Sequence, residues 1–296
     1  MSITLTPLTD PDFRPFSRRI AWLAADGDGN PVGSAFLRLN SRSSHEHLAE
    51  LELTVHPAER RRGIGSQLLA AVVAAARGHE VRTVLADARV GSAGDLFLEH
   101  HGFTVGLTLI YARLELALAD PVVEGSPGYR LVSWTGVVPH EWAQSFTAAR
   151  AGMDDAPTGD IAYGEDAWDV ERTRYAARVI EERGEHLTTV AAVDPAGTIV
   201  GFTELVVPGD GKGDAQHYGT AVVPAHRGHG LSLWMKAEQI RRARARFPDL
   251  EGLLTDTVST NTPMRRINDH LGYRPTHTDN RRTLALHEPG QPVEDQ

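Results

Sequence analysis

The sequence predicts two consecutive α/β domains, each a mixed β-sheet flanked by helices. Its 296 residues are enough for two separate hydrophobic cores. A strand end, a glycine-rich basic turn and an apolar helical pattern occupy residues 55–69 (VHPAERRRGIGSQLL), and the same order returns 167 residues later at 222–236 (VVPAHRGHGLSLWMK). Two further pairs of segments repeat at offsets of 168 and 170 residues: Gly29-x-x-Val32-Gly33 with Gly197-x-x-Val200-Gly201, and Gly102-Phe103 with Gly272-Tyr273.

The first copy is predicted to run as hairpin, strand, helix, strand, short helix and closing strand. Residues 26–30 (DGDGN) form the hairpin turn. Residues 48–55 alternate apolar and polar side chains, which is typical of a strand with one polar face. The predicted strands are 20–25, 32–39, 48–55, 81–86 and 107–116, and the predicted helices are 93–101 and one that ends near Arg77.

The second copy follows a linker rich in proline, glycine and acidic residues, 119–127. We predict domains at 1–118 and 128–288, and a tail at 289–296. Residues 153–166 lack periodicity and contain many turn formers, so they are predicted to form a long loop of the second domain, of the kind that is either functional or disordered. The strands are expected at 129–133, 186–194, 198–207, 215–223, 253–258 and 283–286, and the helices at 139–150, 168–183, 263–271 and up to about 246.

Composition excludes several classes of site. The chain has no cysteine, which excludes thiol catalysis and cysteine-ligated zinc, and we expect no metal because His45 and His47 lack a third ligand. A net charge of −9 argues against nucleic-acid binding. The N-terminal residues show no basic region followed by an apolar run, so we expect no membrane association and a cytoplasmic location.

The repeated turn has the properties of an anion site. In each copy an arginine precedes two small residues, Arg60 before Gly63 and Gly65, and Arg227 before Gly230 and Ser232. Small residues leave the N–H groups of the first helical turn uncovered at the positive end of the helix dipole, which suits a phosphate. The Walker and Rossmann spacings are both missing from these turns. The alternative is a basic helical turn that serves only solubility.

The [R/Q]-x-x-G-x-[G/A/S] spacing directly after a V-x-P strand end resembles the acyl-CoA pyrophosphate loop of the GCN5-related N-acetyltransferase (GNAT) family. The second copy resembles a bacterial tandem type of this family in four places: DAPTGD (155–160), HRGHGL (226–231), Lys236 and NTPM-x-x-IN-x-x-LGY (261–273). The resemblance covers nearly the whole chain. It implies two GNAT-fold domains, each a twisted mixed sheet with a V-shaped opening between its fourth and fifth strands.

The resemblance also implies which residues bind acetyl-CoA. In the family, a splayed β-bulge in the fourth strand pairs with the pantetheine arm, and the following turn binds the pyrophosphate. The implied strand positions are Leu53, Thr54 and Val55, and Ala221, Val222 and Val223. The implied loop positions are Arg60, Arg61, Arg62, Gly63, Ile64, Gly65 and Ser66, and Arg227, Gly228, His229, Gly230, Leu231 and Ser232. Asn261 matches a family asparagine that commonly contacts the cofactor.

The catalytic residues depart from the family pattern. The tyrosine that often protonates the leaving thiolate is replaced by Phe97 and Ile267, so Tyr218, Tyr273 or water would take its place. The amine needs a proton acceptor, for which Glu52, with Glu50 as its neighbour, and His217 are the candidates. Each of these side chains also has an ordinary structural explanation.

The sequence thus predicts an acetyl-CoA-dependent N-acetyltransferase that acts on a primary amine of a small molecule. One of the two domains is expected to be degenerate, and the long loop and Asn261 favour the second as the working copy. A monomer or homodimer is expected. The alternatives are a catalytically silent acyl-CoA-binding or regulatory protein, which the missing tyrosines suggest, and a protein N-acetyltransferase.

Overall fold

The computed structural model describes residues 3–9, 17–41, 44–153, 157–164 and 168–286. Within these ranges lie twelve β-strands and six α-helices. The strands are β1 Thr4–Thr9, β2 Ser17–Ala25, β3 Pro31–Asn40, β4 Leu48–Val55, β5 Thr83–Arg89, β6 Thr104–Glu115, β7 Arg130–Thr135, β8 His186–Val193, β9 Ile199–Val207, β10 Gly213–Val222, β11 Leu250–Val258 and β12 Arg274–Ala285. The helices are α1 Ile64–Gly78, α2 Ala93–His100, α3 Ala143–Arg150, α4 Val170–Glu182, α5 Leu231–Arg246 and α6 Thr262–His270.

The chain forms two compact units whose composition does not follow the order of the sequence. Unit 1 comprises residues 1–108, 158–164 and 279–296, and unit 2 comprises residues 109–157 and 165–278. The predicted boundaries at residues 118 and 128 therefore need correction. A short segment of the second sequence half and most of its last strand belong to unit 1, and most of β6 belongs to unit 2.

An exchange of closing strands explains this division. Residues 109–115 of β6, expected to close the first domain, pair antiparallel with β11. Residues 279–285 of β12, which is longer than the predicted 283–286, pair antiparallel with β5. Each unit thus receives the closing strand of the other sequence copy.

The predicted long loop of the second domain also contributes to unit 1. Residues 154–156 and 165–167 lie outside the described residues. Of the rest, Ile161 is buried, and the carbonyl of Ala162 is 2.8 Å from Nε2 of His47. A Cβ on Gly159 would lie 2.0 Å from the carbonyl oxygen of Gly106, so this close approach requires glycine.

The sheet of unit 1 opens between its fourth and fifth strands. Its strand order is β1-β2-β3-β4-β5-β12. The parallel pairing of β4 with β5 begins at Leu48↔Thr83 and ends at Leu51↔Ala86, although both strands continue. The register between β3 and β4 is continuous from Gly33↔Val55 to Leu39↔Ala49, so the family bulge is not present in this described stretch. Helix α1 packs on one face through Ile64, Leu68, Leu69 and Val72.

The sheet of unit 2 has the same opening and, in addition, a bulge. Its order is β7-β8-β9-β10-β11-β6. The parallel pairing of β10 with β11 ends at Gln216↔Leu254. The register between β9 and β10 shifts between His217 and Gly219, which leaves Tyr218 as the extra residue of a β-bulge. Helix α5 covers one face and α3 the other. The predicted fold class, two mixed α/β domains with V-shaped openings, is confirmed.

Candidate functional site

The two glycine-rich turns have the same backbone geometry. Gly63 and Gly230 are the N-caps of α1 and α5, with φ of 81° and 71°, and neither helix start is capped by a described side chain. The first intrahelical bonds are donated by Gln67 to the Gly63 carbonyl (3.1 Å) and by Trp234 to the Gly230 carbonyl (3.0 Å). The N–H groups before Gln67 and Trp234 therefore have no helical acceptor, which makes each turn suited to an anion.

Arg60 and Arg227 hold these turns against the preceding strands. The Nε of Arg60 donates to the carbonyl of Val55 (3.2 Å), and the Nε of Arg227 donates to the carbonyl of Val222 (2.9 Å). Their positive charge remains at the turn, but their hydrogen bonds are structural. Ile64 and Leu231 are 1% and 2% exposed, so only their backbone N–H groups are available to a ligand.

The remaining loop residues differ between the copies. Arg61 has φ of 66°, a left-handed conformation that its counterpart Gly228 adopts at 83° without steric cost. Arg62 pairs with Glu59 at 2.6 Å. Ser66 Oγ is 3.1 Å from His101 Nε2. His229 Nδ1 lies 3.2 and 3.1 Å from the carbonyls of His226 and Arg227, and Ser232 is partly buried.

The free space at the two anion turns can be compared at their N-cap glycines. A Cβ at Gly63 or Gly230 would meet no described atom within 4 Å. At Gly65, however, a Cβ would lie 3.1 Å from Cε2 of Phe97, and the Phe97 ring is 4.4 Å from that of His101. Side chains of α2 therefore lie directly on the anion turn of unit 1.

The strand positions implied for the cofactor lie on half-paired edges. Leu53, Thr54 and Val55 pair with β3, but the pairing of β4 with β5 has already ended at Leu51. Ala221 and Val222 pair with β9, the N–H of Val223 bonds to Val200, and the pairing of β10 with β11 has already ended at Gln216. Such an open inner edge leaves backbone groups that a bound extended chain can satisfy.

Glu52 is exposed on the open limb of β4, and its neighbour Glu50 forms an ion pair with Arg38. Tyr218, the bulge residue, is 46% exposed and its hydroxyl accepts a hydrogen bond from Arg183 Nη2 at 2.8 Å. Asn261 caps α6 by accepting the N–H of Met264 at 3.2 Å. The catalytic and cofactor roles of these residues remain predictions.

His217 belongs to a buried polar cluster on the α5 face of unit 2. Its Nε2 is 2.7 Å from the hydroxyl of Tyr273, and its Nδ1 is buried with no hydrogen-bond partner in the described part of the chain. Burial, reinforced by the charge of Lys236, holds the pKa of His217 well below its usual range. Burial also raises the pKa of the Tyr273 hydroxyl. Both groups are therefore neutral near pH 7.

Lys236 completes this cluster. It is 1% exposed, and its Nζ lies 5.0 Å from the centroid of the Tyr273 ring. Burial lowers the pKa of Lys236 to about 7, and the charge of Asp256 opposes this effect. Sequence reasoning identified Lys236 only as part of the family resemblance. The signal that identifies it is a lysine at a position that faces the core: the equivalent residue of α1 is the buried Leu69.

Asp256 and Gln216 are the other residues that sequence reasoning missed. Gln216 is the last residue of β10 that pairs with β11, and Asp256 lies two residues beyond its partner Leu254. Gln216 Nε2 donates to Asp256 Oδ1 at 3.3 Å and to the His217 carbonyl at 3.1 Å, so it spans the opening. The available signal was a fourth repeated segment, since Leu-Ala-Asp at 85–87 returns as Leu-Thr-Asp at 254–256.

The described residues include no group of three or more histidine, aspartate or glutamate side chains placed to hold a metal ion. No helix within the same ranges is long and apolar enough to cross a membrane. Uncovered N–H groups, a helix dipole and open space at Gly230 do suit the pyrophosphate of a nucleotide-like cofactor.

Comparisons with known proteins agree with these features. Residues 17–105 match the family model described as "Acetyltransferase (GNAT) domain", and residues 154–273 match "Acetyltransferase (GNAT) family". Together the two matches cover more than half of the chain. A mycothiol acetyltransferase from Arthrobacter sp. (strain FB24) is 26% identical over 226 residues, which span 75% of this chain and 66% of that relative.

Solved structures share the fold. A tandem GNAT protein from the clavulanic acid biosynthesis pathway matches with a TM-score of 0.76 and 23% identity, over 98% of this chain and 100% of that one. A GCN5-related N-acetyltransferase from Sphaerobacter thermophilus matches with a TM-score of 0.71 and 19% identity, over 92% and 82% of the two chains.

Proposed function

Because the chain belongs to the GCN5-related N-acetyltransferase family, we propose that it transfers an acetyl group from acetyl-CoA to the primary amine of a small molecule, and that the transfer takes place in unit 2. The observation that carries this proposal is the combination of three features in one unit. These are the uncapped helix start at Gly230, the open edge of β10 and the bulge at Tyr218. Unit 1 has the first two features only.

Acetyl-CoA supplies an activated acetyl thioester. The N–H groups that follow Gly230 would bind its pyrophosphate, and the inner edge of β10 from Ala221 to Val223 would bind its pantetheine arm. A bulge beside this edge turns backbone N–H groups out of the sheet, where one of them can donate to an oxygen that gains charge.

The neutral His217–Tyr273 pair favours a role different from the expected base. A histidine whose pKa lies well below neutrality takes up the proton of an ammonium poorly. The pair can instead donate a hydrogen bond while it remains uncharged. We therefore assign His217 and Tyr273 to positioning and hydrogen bonding, and proton removal from the amine to solvent or a carboxylate.

In unit 1, Phe97 lies against the first turn of α1 with His101 beside it, and the half-exposed Glu50 is paired with Arg38. These contacts support the proposal that unit 1 does not catalyse acetyl transfer. Whether it still binds coenzyme A is a separate question, because its helix start at Gly63 remains uncapped by any described side chain.

The test combines calorimetry of coenzyme A binding with an amine panel. Acetyl-CoA is mixed with putrescine, glucosamine, 2-phenylethylamine or a lysine-containing peptide, and release of the free thiol is measured. We expect turnover with at least one small amine. Gly230→Glu places a negative charge at the helix start and should abolish turnover and remove one bound coenzyme A per chain, whereas Gly63→Glu should leave turnover intact.

Gly230→Asn is the matched control, because asparagine tolerates a left-handed backbone and adds no charge. It should retain binding. Tight coenzyme A binding without turnover on any amine would contradict the enzymatic proposal and support a silent acyl-CoA-binding protein. Turnover on the peptide alone would contradict the small-molecule acceptor.

A further inference from the structure

In unit 2, a short helical segment lies on the strand proposed to bind the acetyl donor. Helix α3 is followed directly by a short 3-10 helix, Ala151–Met153. A Cβ on Gly152 would lie 3.4 Å from the carbonyl carbon and oxygen of Val222 and 3.5 Å from Cβ of Ala221. The segment therefore packs directly on the part of β10 that is proposed to hold the pantetheine arm.

Met153, the last residue of this segment, lies on the β-bulge. Gly219 follows the bulge residue Tyr218 and pairs with Glu204 of β9. A Cβ on Gly219 would lie 3.0 Å from both Sδ and Cε of Met153, and 3.8 Å from Cε2 of Phe202. Because glycine contributes no side chain, the thioether of Met153 and the ring of Phe202 form the surface at this point of the strand.

The surroundings of Met153 suit an uncharged ligand group. Met153 is partly buried and packs against the hydrophobic cluster beneath α3, to which Phe146 and Phe202 belong. The nearby carboxylate of Glu204 is held by Arg150 at 2.7 Å, so its charge is already compensated. A methionine side chain is unbranched and flexible, and it fills the space that its neighbours leave.

The equivalent position of unit 1 carries a charged side chain. Counted along the ladders from the repeated glycines Gly33 and Gly201, the third pair onward contains Glu52 in unit 1 and Gly219 in unit 2. The side chain of Glu52 is exposed. Unit 1 therefore presents a carboxylate at the position where unit 2 presents a glycine covered by a thioether, and only the second arrangement suits a hydrocarbon chain.

We propose that Met153 forms the wall of the acyl end of the donor site in unit 2 and restricts the donor to short-chain acyl thioesters. This inference rests on the proposed function, in which a backbone N–H of the bulge donates to the thioester oxygen. The acyl chain begins at the carbon of that same carbonyl, so it starts beside the bulge that Met153 covers. An acetyl group adds a single methyl there, whereas a longer chain needs the space that the thioether occupies.

The central experiment measures donor binding against chain length, with no acceptor present. Dissociation constants of acetyl-CoA, butyryl-CoA and hexanoyl-CoA are determined by calorimetry in the Gly63→Glu background, so that unit 1 does not contribute. We expect hexanoyl-CoA to bind at least about 30-fold more weakly than acetyl-CoA, because its extra methylenes meet occupied space. Met153→Ala should reduce this ratio to below about threefold and leave the affinity for acetyl-CoA within about threefold.

Gly219→Ala tests the wall from the side of the strand. Its Cβ would press on the end of Met153, displace the thioether into the acyl space and weaken acetyl-CoA binding at least about fivefold. In the Met153→Ala background, Gly219→Ala should have almost no effect, because the added methyl then has room. Val132→Ala is the matched control, since it truncates a partly buried side chain of the same cluster on β7, and it should leave the chain-length ratio unchanged.

A chain-length ratio that Met153→Ala leaves unchanged, in a protein shown to be folded by its melting temperature, would overturn the proposal. Equal relief by Val132→Ala would overturn it too. A change in the KM of the amine without a change in this ratio would place Met153 on the acceptor side and would also contradict it. Met153→Val is used if the alanine variant does not fold. Failure of the proposed function would look different, since the unsubstituted protein would bind no acyl-CoA or acetylate no amine.

Discussion

Units 1 and 2 share the same anion turn, but the cores behind it differ in polarity. Unit 1 buries Leu51, Leu69 and Phe103 beside α1. At the corresponding positions unit 2 buries His217, Lys236 and Tyr273. Leu69 and Lys236 each lie six residues after the N-cap glycine of their helix. Phe103 and Tyr273 directly follow Gly102 and Gly272. The anion turn is common to both copies, whereas these three core positions behind it carry ionisable groups only in unit 2.

Burying an ionisable group is unfavourable unless hydrogen bonds or an opposite charge compensate for the lost hydration. An unpaired polar group taken out of water costs about 1–3 kcal/mol, and a charged one costs more. Leu51, Leu69 and Phe103 in unit 1 demonstrate that the fold itself needs no polar group there. The polar cluster of unit 2 therefore has an energetic cost that unit 1 avoids at these positions, and the following substitutions measure such differences between the two units.

The largest effect is expected from the buried ion pair between Arg150 and Glu204 of unit 2. Arg150 Nη1 is 2.7 Å from Glu204 Oε1, and the side chains are 10% and 4% exposed. Glu204→Leu should destabilise unit 2 by about 3–5 kcal/mol, because it leaves a buried guanidinium without its counter-ion. Glu50→Leu in unit 1 breaks a half-exposed pair and should cost under about 1 kcal/mol. Urea unfolding measures the free energy of unfolding of both variants. Similar losses in the two would contradict the expectation that the buried pair is the more costly one to break.

Replacing Lys236 by leucine gives unit 2 the residue of unit 1 and should stabilise it. The native pKa is about 7 against an unfolded value near 10.5, so the native state binds fewer protons between these values and stability rises with pH across this window. Below pH 7 the full cost of charging the buried amine is present. Lys236→Leu should therefore gain on the order of 4 kcal/mol at pH 6 and almost nothing at pH 10.5.

Equal stabilisation by Lys236→Leu at both pH values would show that packing, and not charge burial, separates the two cores. Thermal unfolding between pH 6 and 10.5 measures this directly. Leu69→Met, a conservative change at the matched position of unit 1, is the control and should have no pH dependence.

Loss of the His217–Tyr273 hydrogen bond should change the free energy of unfolding by less than Glu204→Leu or Lys236→Leu does. Tyr273→Phe leaves the buried Nε2 of His217 without its partner and should cost about 1–3 kcal/mol. His217→Leu should cost a similar amount. The double variant, which matches Leu51 and Phe103 of unit 1, should cost less than the sum of the two. Additive losses in this cycle would mean that the two groups are not coupled.

The smallest effect concerns the backbone of the anion turns. Arg61 adopts a left-handed conformation that its counterpart Gly228 adopts freely. Arg61→Gly should stabilise unit 1 by up to about 1 kcal/mol, and Gly228→Arg should destabilise unit 2 by a similar amount. Chemical denaturation of the pair would reveal the opposite signs. A loss of stability in Arg61→Gly would mean that the arginine side chain makes a compensating contact.

The anion turns could be predicted from sequence because they depend on local rules. A strand end, glycines at a fixed spacing and an apolar helix specify the same geometry wherever they occur, and both turns were located in this way. The exchange of β6 and β12 could not be predicted, since no local signal in either strand specifies which of the two sheets it closes. The pairing of Arg281 with Asp87 was hidden for the same reason, because it joins residues that the exchange brings together.

The exchanged strands also have a consequence for how the chain folds during its synthesis. Unit 1 begins at the N-terminal end of the sequence, yet its sheet includes residues 279–285. At about 5–20 residues per second, a ribosome needs roughly ten to thirty seconds after Thr108 to reach them. During that interval β5 has an unpaired edge, and such edges are prone to pair with other chains. Nascent unit 1 is therefore expected to depend on rapid translation or a chaperone that covers β5, and synonymous codon changes within the second half should alter the yield of soluble protein.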